Sequence, residues 1–272
     1  MVRGAPIVVR QMDVDVKAMI RRVFARIGLG ITSARNLEAL ELKARSMEQL
    51  RRVQAILGEG HEAMTCLKHM ASQLGQDVFA ISEMGFKKNG YFVEFGATNG
   101  IDLSNTYLLE KMYKWNGILA EPAKRWHDEL ESNRGCIVEK SCVWSRSGEQ
   151  IEFLETGIGE LSTINSYSAA DSHSKHRKGG ARYLVSTISL MDLLQKNSAP
   201  EFIDYLSIDT EGSEYEILKA FDFSKYRFGV ITCEHNFTPA REAIFQLLSS
   251  YGYIRKHQEL SAFDDWYVHA EH

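Results

Sequence analysis

The chain has 272 residues, of which 44% are hydrophobic and 25% are charged, with 20 glycines and only 4 prolines. This composition is that of a globular protein and excludes a disordered, collagen-like or disulfide-scaffold protein. No apolar stretch approaches the roughly 20 residues needed to span a bilayer, and the first residues lack the apolar core of a signal peptide. A net charge of −4 gives no reason to expect nucleic acid as a partner. Because the four cysteines form no CxxC pair, we expect reduced thiols and a cytoplasmic location.

The first 60 residues carry the opposite charge from the rest of the chain. They hold 11 Lys and Arg against 6 Asp and Glu, a net charge of +5, whereas the remainder holds 21 against 30, a net charge of −9. Apolar residues recur at steps of three or four between Leu37 and Leu57, which predicts an amphipathic helix. We expect residues 1–70 to form a helical extension and residues 71–272 to form the main domain. The extension packs against that domain, docks a partner or a second copy in a homo-oligomer, or binds an anionic surface.

From about residue 89 onwards, strands and helices alternate along the chain. The predicted strands are short runs rich in β-branched and aromatic residues. They are Tyr91–Phe95, Gly117–Ala120, Cys136–Val138, Ile151–Leu154, Phe202–Ile208, Phe228–Cys233 and an antiparallel pair, Tyr253–Arg255 with Trp266–His269. The helices predicted between them include Ser104–Tyr113, Lys124–Asn133, Leu190–Gln195 and Ala240–Ser250. This alternation predicts an α/β protein with a doubly wound, mostly parallel, Rossmann-like sheet that binds ligands beyond the carboxyl ends of its strands.

Polar residues cluster at these predicted strand ends. The first cluster, Glu94 to Gly100 (EFGATNG), has two glycines four residues apart and not the GxGxxG of a dinucleotide site. A carboxylate before such a turn repels a pyrophosphate and attracts an ammonium group, so the loop suits a ligand such as S-adenosylmethionine. Glu121 ends the next strand, where an acidic residue accepts both ribose hydroxyls in nucleotide-binding folds. For the loop taken alone, a tight glycine turn without a ligand is the alternative.

Five segments within about residues 72–272 carry a family resemblance. They are Ser72–Asp77 (SQLGQD), Phe92–Gly100 (FVEFGATNG), Ala120–Pro122 (AEP), Ser141–Gly148 (SCVWSRSG) and Ile208–Leu218 (IDTEGSEYEIL). In combination they resemble the FkbM-type family of S-adenosylmethionine-dependent methyltransferases. The second and third segments are similar to its first two cofactor motifs, and the last to its hallmark segment. The resemblance does not extend to residues 1–60.

The resemblance implies a class I methyltransferase fold with a seven-stranded sheet and S-adenosyl-L-methionine as the cofactor. It places the adenine near residues 141–148. Together with the loop chemistry, it assigns these residues to the cofactor: Glu94, Gly96, Ala97, Thr98, Asn99, Gly100, Asn105, Glu121, Pro122, Cys142, Val143 and Asp209. It also implies an O-methyltransferase that acts on a hydroxyl of a sugar or glycan. A methyltransferase of a non-sugar metabolite and a catalytically silent subunit of a glycan-assembly complex are the alternatives.

Methyl transfer to an aliphatic hydroxyl requires a base or a metal ion that helps to remove the hydroxyl proton. Asp209 ends one predicted strand, and Glu234 and His235 end its neighbour, which is similar to the arrangement in metal-dependent catechol O-methyltransferases. We therefore expect Asp209, Glu234 and His235 to bind Mg²⁺ or Mn²⁺. His235 is alternatively the general base, and Glu211 competes for either role, so that Asp209, His235 and Glu211 are the predicted catalytic residues. A helix cap at Asp209 and a purely structural His235 are the alternatives without chemistry.

The segment 157–180 is rich in Ser, Gly and Lys and has the composition of a loop. Loops at the ends of sheet strands commonly bind the acceptor substrate. Its candidate acceptor contacts are Ser162, Thr163, His173 and His176, although a solvated loop explains the same residues equally well.

Overall fold

The computed structural model describes residues 34–58, 60–155, 163–164 and 181–271. The chain divides into two compact units after Leu67, and each is described by itself. The first contains α1 (Ala34–Leu57) and most of α2 (His61–His69). As predicted, α1 stops before Gly58, whose φ of 71° does not continue a helix. No helix in the described ranges combines the length and the apolar character that crossing a membrane requires.

The second unit alternates strands and helices as the sequence predicts. Its elements are α3 (Gln76–Glu83), β1 (Tyr91–Phe95), α4 (Tyr107–Tyr113), β2 (Asn116–Ala120), a 3₁₀ turn (Lys124–Trp126), α5 (His127–Asn133), β3 (Ile137–Glu139), β4 (Cys142–Trp144), β5 (Gln150–Glu155), β6 (Thr163–Ile164), β7 (Ala181–Ser189), α6 (Leu190–Lys196), β8 (Phe202–Ile208), α7 (Glu214–Lys219), β9 (Arg227–Glu234), α8 (Ala240–Ser250), β10 (Tyr253–Lys256) and β11 (Asp264–His269). The helix predicted from Ser104 begins only at Tyr107, because residues 104–106 bind a buried carboxylate, that of Glu94.

The main sheet has seven strands in the order β10-β11-β9-β8-β1-β2-β3. Neighbouring strands are parallel except at β11, which runs antiparallel to both β10 and β9. This arrangement confirms the predicted fold class. The predicted strand at residues 151–154 lies instead in a second sheet, of order β4-β7-β5-β6, because it pairs with β7, a nine-residue strand that the sequence did not predict.

Both faces of the central strands are buried, as in parallel sheets covered by helices on both sides. The main core joins strand residues such as Val93, Leu206 and Ile231 to helix residues such as Leu193 and Ile244. Each such side chain contributes roughly 1.5–3 kcal/mol when it is fully buried. The core therefore fixes the carboxyl ends of β1, β8 and β9 relative to one another.

Strand register aligns three acidic residues at one edge of this sheet. Ile208 of β8 lies opposite Cys233 of β9, so Asp209, the next residue, comes level with Glu234. Glu234 is in turn the register partner of Asp264, the first residue of the antiparallel β11. Asp209, Glu234 and Asp264 therefore form one row across three adjacent strands.

Candidate active site

The loop after β1 (Gly96–Gly100), called the glycine loop below, packs closely against Asp209 and Arg134. Gly96 has a φ of 78°, and a Cβ there would lie 2.2 Å from the backbone oxygen of Asp209. Gly100 has a φ of 80°, and its Cβ would lie 2.6 Å from the side chain of Arg134. Both positions thus require glycine for its conformational freedom and for its lack of a side chain. The loop is held at the end of β8, next to Asp209.

Glu94 lies beneath this loop, in the interior. Its Oε1 accepts a hydrogen bond from the Asn105 N–H at 2.7 Å, and its Oε2 accepts from the hydroxyls of Ser104, at 3.0 Å, and Thr106. The side chain of Arg134 is fully buried, and its NH1 lies 3.9 Å from Oε2. In this structure Glu94 organises residues 104–106, and its oxygens do not face outward toward a ligand ammonium as we expected.

Arg134 is a residue of this region that the sequence did not reveal. It follows α5, more than 30 residues after the loop, and no motif marks it. Its guanidinium donates to Glu110 at 2.6 Å, to the Gly100 carbonyl at 3.0 Å and to the Thr106 hydroxyl at 2.9 Å. Its positive charge therefore compensates the carboxylates of Glu94 and Glu110, and its hydrogen bond to Gly100 holds the glycine loop in place.

Glu121, at the end of β2, connects the loop to the neighbouring strand. Its carboxylate accepts from the backbone N–H groups of Thr98 and Ala123, both at 2.8 Å. Burial raises the pKa of Glu121 to about 7, with further increases from the charges of Asp209 and Glu155. Since each of its oxygens has more than one lone pair, the carboxylate retains capacity to accept ligand hydroxyls.

The remaining residues predicted to bind the cofactor divide by what their side chains contact. Asn99 accepts from the N–H groups of Ile101 and Asp102, so its side chain shapes the turn. Asn105 donates to the Ser207 hydroxyl at 2.9 Å, while its side-chain oxygen is buried with no hydrogen-bond partner among the described residues. Ala97 is buried, and Pro122 is half-buried beside Glu121.

Cys142 and Val143 are consecutive in β4 and face opposite sides of the strand. Cys142 packs in a small cluster with Ala123, Phe153 and Val185, whereas Val143 packs in the main core. Burial and the nearby charge of Glu121 raise the pKa of the Cys142 thiol to about 12. The structure thus keeps Cys142 beside the predicted cofactor region. The side chain of Val143 faces the main core, so any contact of Val143 with the cofactor would be made by its backbone.

Three carboxylates meet at the ends of β8 and β9. Asp209, Glu211 and Glu234, called the acid cluster below, each bring one oxygen within 4.8 Å of the others. Glu211 has a left-handed φ of 58°, a conformation that is costly for a residue with a side chain. Its Oε2 lies 3.4 Å from the donor Nδ2 of Asn236. The backbone therefore holds a strained conformation where this carboxylate joins the cluster.

The turn that carries Glu211 is organised by Glu214. Glu214 is buried, and its Oε1 accepts from the N–H groups of Thr210, at 3.1 Å, and Gly212, at 2.9 Å. Ser213, and not Asp209, occupies the N-cap position of α7. Asp209 is thus not the helix cap that was the alternative to its role in the site.

Glu234 contributes a buried carboxylate to the cluster. It is 7% exposed, and its Oε2 has no hydrogen-bond partner within the described part of the chain. Burial and the neighbouring charges of Asp209 and Glu211 raise its pKa well above its usual range. An uncompensated buried carboxylate is costly, and a bound proton or cation removes that cost.

His235 lies on the other side of the sheet from the acid cluster, which corrects its predicted place among the ligands. Successive residues along a strand point to opposite faces of the sheet. His235 therefore lies on the same face as Asp265, whereas Glu234 lies on the other face. Its Nδ1 accepts from the Phe237 N–H at 3.0 Å, and its Nε2 lies 3.8 Å from an oxygen of Asp265. Burial lowers its pKa. The third side chain close to Asp209 and Glu234 is that of Glu211.

The predicted acceptor contacts Ser162, His173 and His176 lie outside the described residues. Thr163 is described only as part of the backbone of β6. The structure therefore gives no side-chain contacts for this loop.

Comparison with known proteins identifies the family. Residues 94–255, more than half of the chain, match the model of the methyltransferase FkbM domain. Among solved structures, the chain matches a precorrin-6y C5,15-methyltransferase from Geobacter metallireducens GS-15. The two share 10% identity and a TM-score of 0.36, and the match covers 74% of this chain and 89% of that one. The match to the CurJ carbon methyltransferase has 10% identity and a TM-score of 0.34, and it covers 93% of this chain and 78% of that one. These structural similarities are too low to carry an argument, and no curated protein matches the chain.

The matched segment contains the glycine loop, Glu121 and the complete acid cluster. It begins at Glu94 and ends within β10. The chain belongs to the FkbM methyltransferase family, whose members use S-adenosylmethionine as the methyl donor.

Proposed function

We propose that this protein is an O-methyltransferase that acts on a hydroxyl of a sugar or glycan with the help of a divalent cation. The contact of Asp209 with both halves of the site carries the proposal. Its backbone oxygen packs against Gly96 of the glycine loop, and its carboxylate belongs to the acid cluster. A donor bound at the loop and an acceptor bound at the cluster would thus be neighbours, as an in-line displacement requires.

The residues around the loop fit S-adenosylmethionine. This cofactor supplies an activated methyl group on a sulfonium. Glu121 would accept the ribose hydroxyls with its remaining lone pairs, and its pKa of about 7 allows it to be charged at neutral pH. The buried, unpartnered side-chain oxygen of Asn105 is suited to accept from an ammonium group. In this assignment Glu94 supports the loop and does not contact the ligand.

The acid cluster fits a hard divalent cation such as Mg²⁺ or Mn²⁺. These ions bind oxygen ligands at about 2.0–2.6 Å, so oxygens on one ion are separated by at most about 4–5 Å. The 4.8 Å spread of the cluster agrees with this limit. Glu234 supplies a buried oxygen without a partner, which a cation would satisfy. A cation there would supply Lewis-acid stabilisation of the developing alkoxide.

Glu211 is the residue that we propose as the base. Its carboxylate is in the cluster, and its strained backbone directs it there. His235 is unsuited to this role because it lies on the opposite face, with Nδ1 already bonded to the backbone of residue 237. Glu211 would take the acceptor proton as the hydroxyl oxygen attacks the methyl carbon.

An exposed aromatic ring supports a sugar as the acceptor. Phe237 is 71% exposed, has a left-handed φ of 57° and follows the acid cluster by three residues. Its ring makes an edge contact with the ring of His235 at 5.4 Å between centroids. An exposed aromatic ring three residues after Glu234 can pack against the apolar face of a sugar.

Transfer of a labelled methyl group from S-adenosylmethionine to a panel of methyl glycosides tests this function. We expect transfer to at least one glycoside with Mn²⁺ and loss of transfer with EDTA or in Asp209→Asn. The control is Asp222→Asn, an exposed carboxylate outside the site, which should retain activity. Transfer only to non-sugar hydroxyls would contradict the sugar acceptor, and full transfer in EDTA would contradict the cation.

The helical extension, residues 1–70, is proposed as the homo-oligomerisation segment of a cytoplasmic enzyme. The basic charge of the first 60 residues and the apolar stripe of α1 support this proposal. Sedimentation of the full chain and of a chain lacking residues 1–60 tests it. The same number of chains per particle in both proteins would contradict it.

A further inference from the structure

The segment Ser72–Asp77 precedes α3 and has no role in the function proposed so far. It forms a closed turn in which Asp77 accepts from the Ser72 hydroxyl at 2.5 Å and from the Val78 N–H at 2.8 Å. Gly75 adopts a φ of 92°, and its N–H donates to the Ser72 hydroxyl at 3.1 Å. The polar side chains of Ser72, Gln76 and Asp77 are all buried. Such a turn fixes Gln76 in one position.

Both ends of the Gln76 amide are engaged. Its Oε1 accepts from the Leu74 N–H at 2.8 Å, which leaves Nε2 as the donor on the other side. That Nε2 donates to Oδ2 of Asp264 at 2.8 Å, across 188 residues of sequence. Because the Leu74 N–H can only donate, the atom that accepts from it must be the amide oxygen of Gln76. The amide nitrogen of Gln76 therefore faces Asp264 and donates to it.

Asp264 faces the acid cluster. It is the register partner of Glu234, so the two side chains leave the same face of adjacent strands. It is 5% exposed. Like charges directly opposite in a sheet repel each other. A buried carboxylate opposite Glu234 is favourable only when a positive charge compensates the pair.

We propose that Gln76 is a positioning residue for the cation site because it fixes Asp264 as a fourth carboxylate beside the acid cluster. The inference rests on the proposed cation. Asp264 adds negative charge close to Glu234, and the Gln76 amide prevents its carboxylate from turning away. Outer hydrogen-bonded groups of this kind orient metal ligands and tune metal affinity. The hydrogen-bonded turn from Ser72 to Asp77 then holds the Gln76 amide where its N–H reaches Asp264.

Calorimetric titration with Mn²⁺, combined with urea unfolding of the cation-free protein, tests the proposal. Asp264→Asn keeps the shape of the side chain and an oxygen for Gln76, but removes the charge. We expect its Mn²⁺ affinity to fall about 10- to 100-fold, while its stability without cation stays equal or rises. Gln76→Leu should lower the Mn²⁺ affinity about tenfold. Gln73→Leu, in the same turn, is the matched control and should bind Mn²⁺ like the wild type.

A purely structural role for these residues predicts the opposite pattern, with lower stability and unchanged Mn²⁺ affinity in Asp264→Asn. That result would overturn the proposal. If Gln76→Leu does not fold, Asp264→Asn decides alone. A wild-type protein that binds no Mn²⁺ would contradict the cation site itself, whereas a wild type that binds and an Asp264→Asn variant that binds equally well would overturn only the role of Gln76 and Asp264.

Discussion

The backbone oxygen of Asp209 occupies the space where a side chain at Gly96 would begin, at 2.2 Å from an ideal Cβ. The glycine loop and the acid cluster are thus joined at one residue. Because the carbonyl belongs to the end of a buried strand, it cannot move aside without disturbing the core of the sheet. Any side chain at position 96 would separate the two halves of the site.

Gly96→Ala should therefore cost more stability than its backbone conformation alone explains. The left-handed conformation costs an alanine about 1–2 kcal/mol, and the overlap with Asp209 adds about 1–3 kcal/mol. Gly148 is the matched control, since its φ is 80° and nothing lies within 4 Å of its Cβ. Urea unfolding should show a loss of only about 1–2 kcal/mol for Gly148→Ala. Equal losses in the two variants would contradict the close contact.

Glu121 should make the affinity for S-adenosylhomocysteine depend on pH. Its carboxylate accepts ribose hydroxyls best when charged, and its pKa is raised to about 7. Calorimetry should show affinity that falls as the pH drops through 7, by about tenfold from pH 8 to pH 6. Glu121→Gln should bind more weakly at pH 8 and show no such slope. Glu129→Gln, an exposed control on α5, should keep the slope of the wild type.

The same pKa makes a separate prediction for folding. The native state keeps a proton on Glu121 up to about pH 7, whereas the unfolded chain loses it near the ordinary value of 4.5. The contribution of this group to the free energy of unfolding therefore falls as the pH rises from 4.5 to 7, by about 3 kcal/mol in total. Urea unfolding at pH 5 and pH 7.5 should show this loss in the wild type and a smaller loss in Glu121→Gln. An identical pH dependence in both proteins would be evidence against a raised pKa.

Glu234→Gln should separate cation binding from folding. The substitution removes a buried charge that repels Asp209 and Glu211, so the cation-free protein should be at least as stable as the wild type at pH 8. Mn²⁺ should raise the thermal midpoint of the wild type and leave that of the variant unchanged. His235→Asn, on the opposite face, should retain the Mn²⁺ response. A His235→Asn variant that loses the response while Glu234→Gln keeps it would reverse our assignment of ligands.

Arg134 should be essential for stability because its charge compensates Glu94 and Glu110. Removing one partner of a buried ion pair typically costs about 3–5 kcal/mol, which we expect for Arg134→Met in urea unfolding. Adding Glu94→Gln should recover part of the loss, since the uncompensated charge is then gone. Arg146→Met, at an exposed position, should change stability by less than about 0.5 kcal/mol. A loss no larger than that of the control would show that the pair is not coupled.

The sequence predicted the sheet and the places where chemistry gathers, because hydrophobic periodicity and strand-end residues are local features. Glu121, Asp209 and Glu234 were predicted in this way, and the structure places each of them at a strand end. The direction of a side chain was less apparent from the sequence. The Val143 side chain faces away from that of Cys142, and the His235 side chain faces away from that of Glu234, as strand alternation requires.

Other features depend on contacts between distant parts of the chain and carry no local pattern. Arg134 reaches the glycine loop from the end of α5, and Gln76 reaches Asp264 across 188 residues. Glu211 enters the acid cluster through a left-handed backbone that its residue type disfavours. Each is determined by tertiary packing, which overrides the local preferences that sequence patterns report.

Calorimetric titration of the wild-type protein with S-adenosylhomocysteine in EDTA shows whether the glycine loop and Glu121 form a cofactor site. We expect saturable binding of one molecule per chain, reduced in Glu121→Gln, which loses the charged acceptor for the ribose hydroxyls, and lost in Gly96→Ala, whose added side chain disturbs the glycine loop. Absence of binding by the folded wild-type protein would contradict the assignment of the glycine loop and Glu121 as a cofactor site.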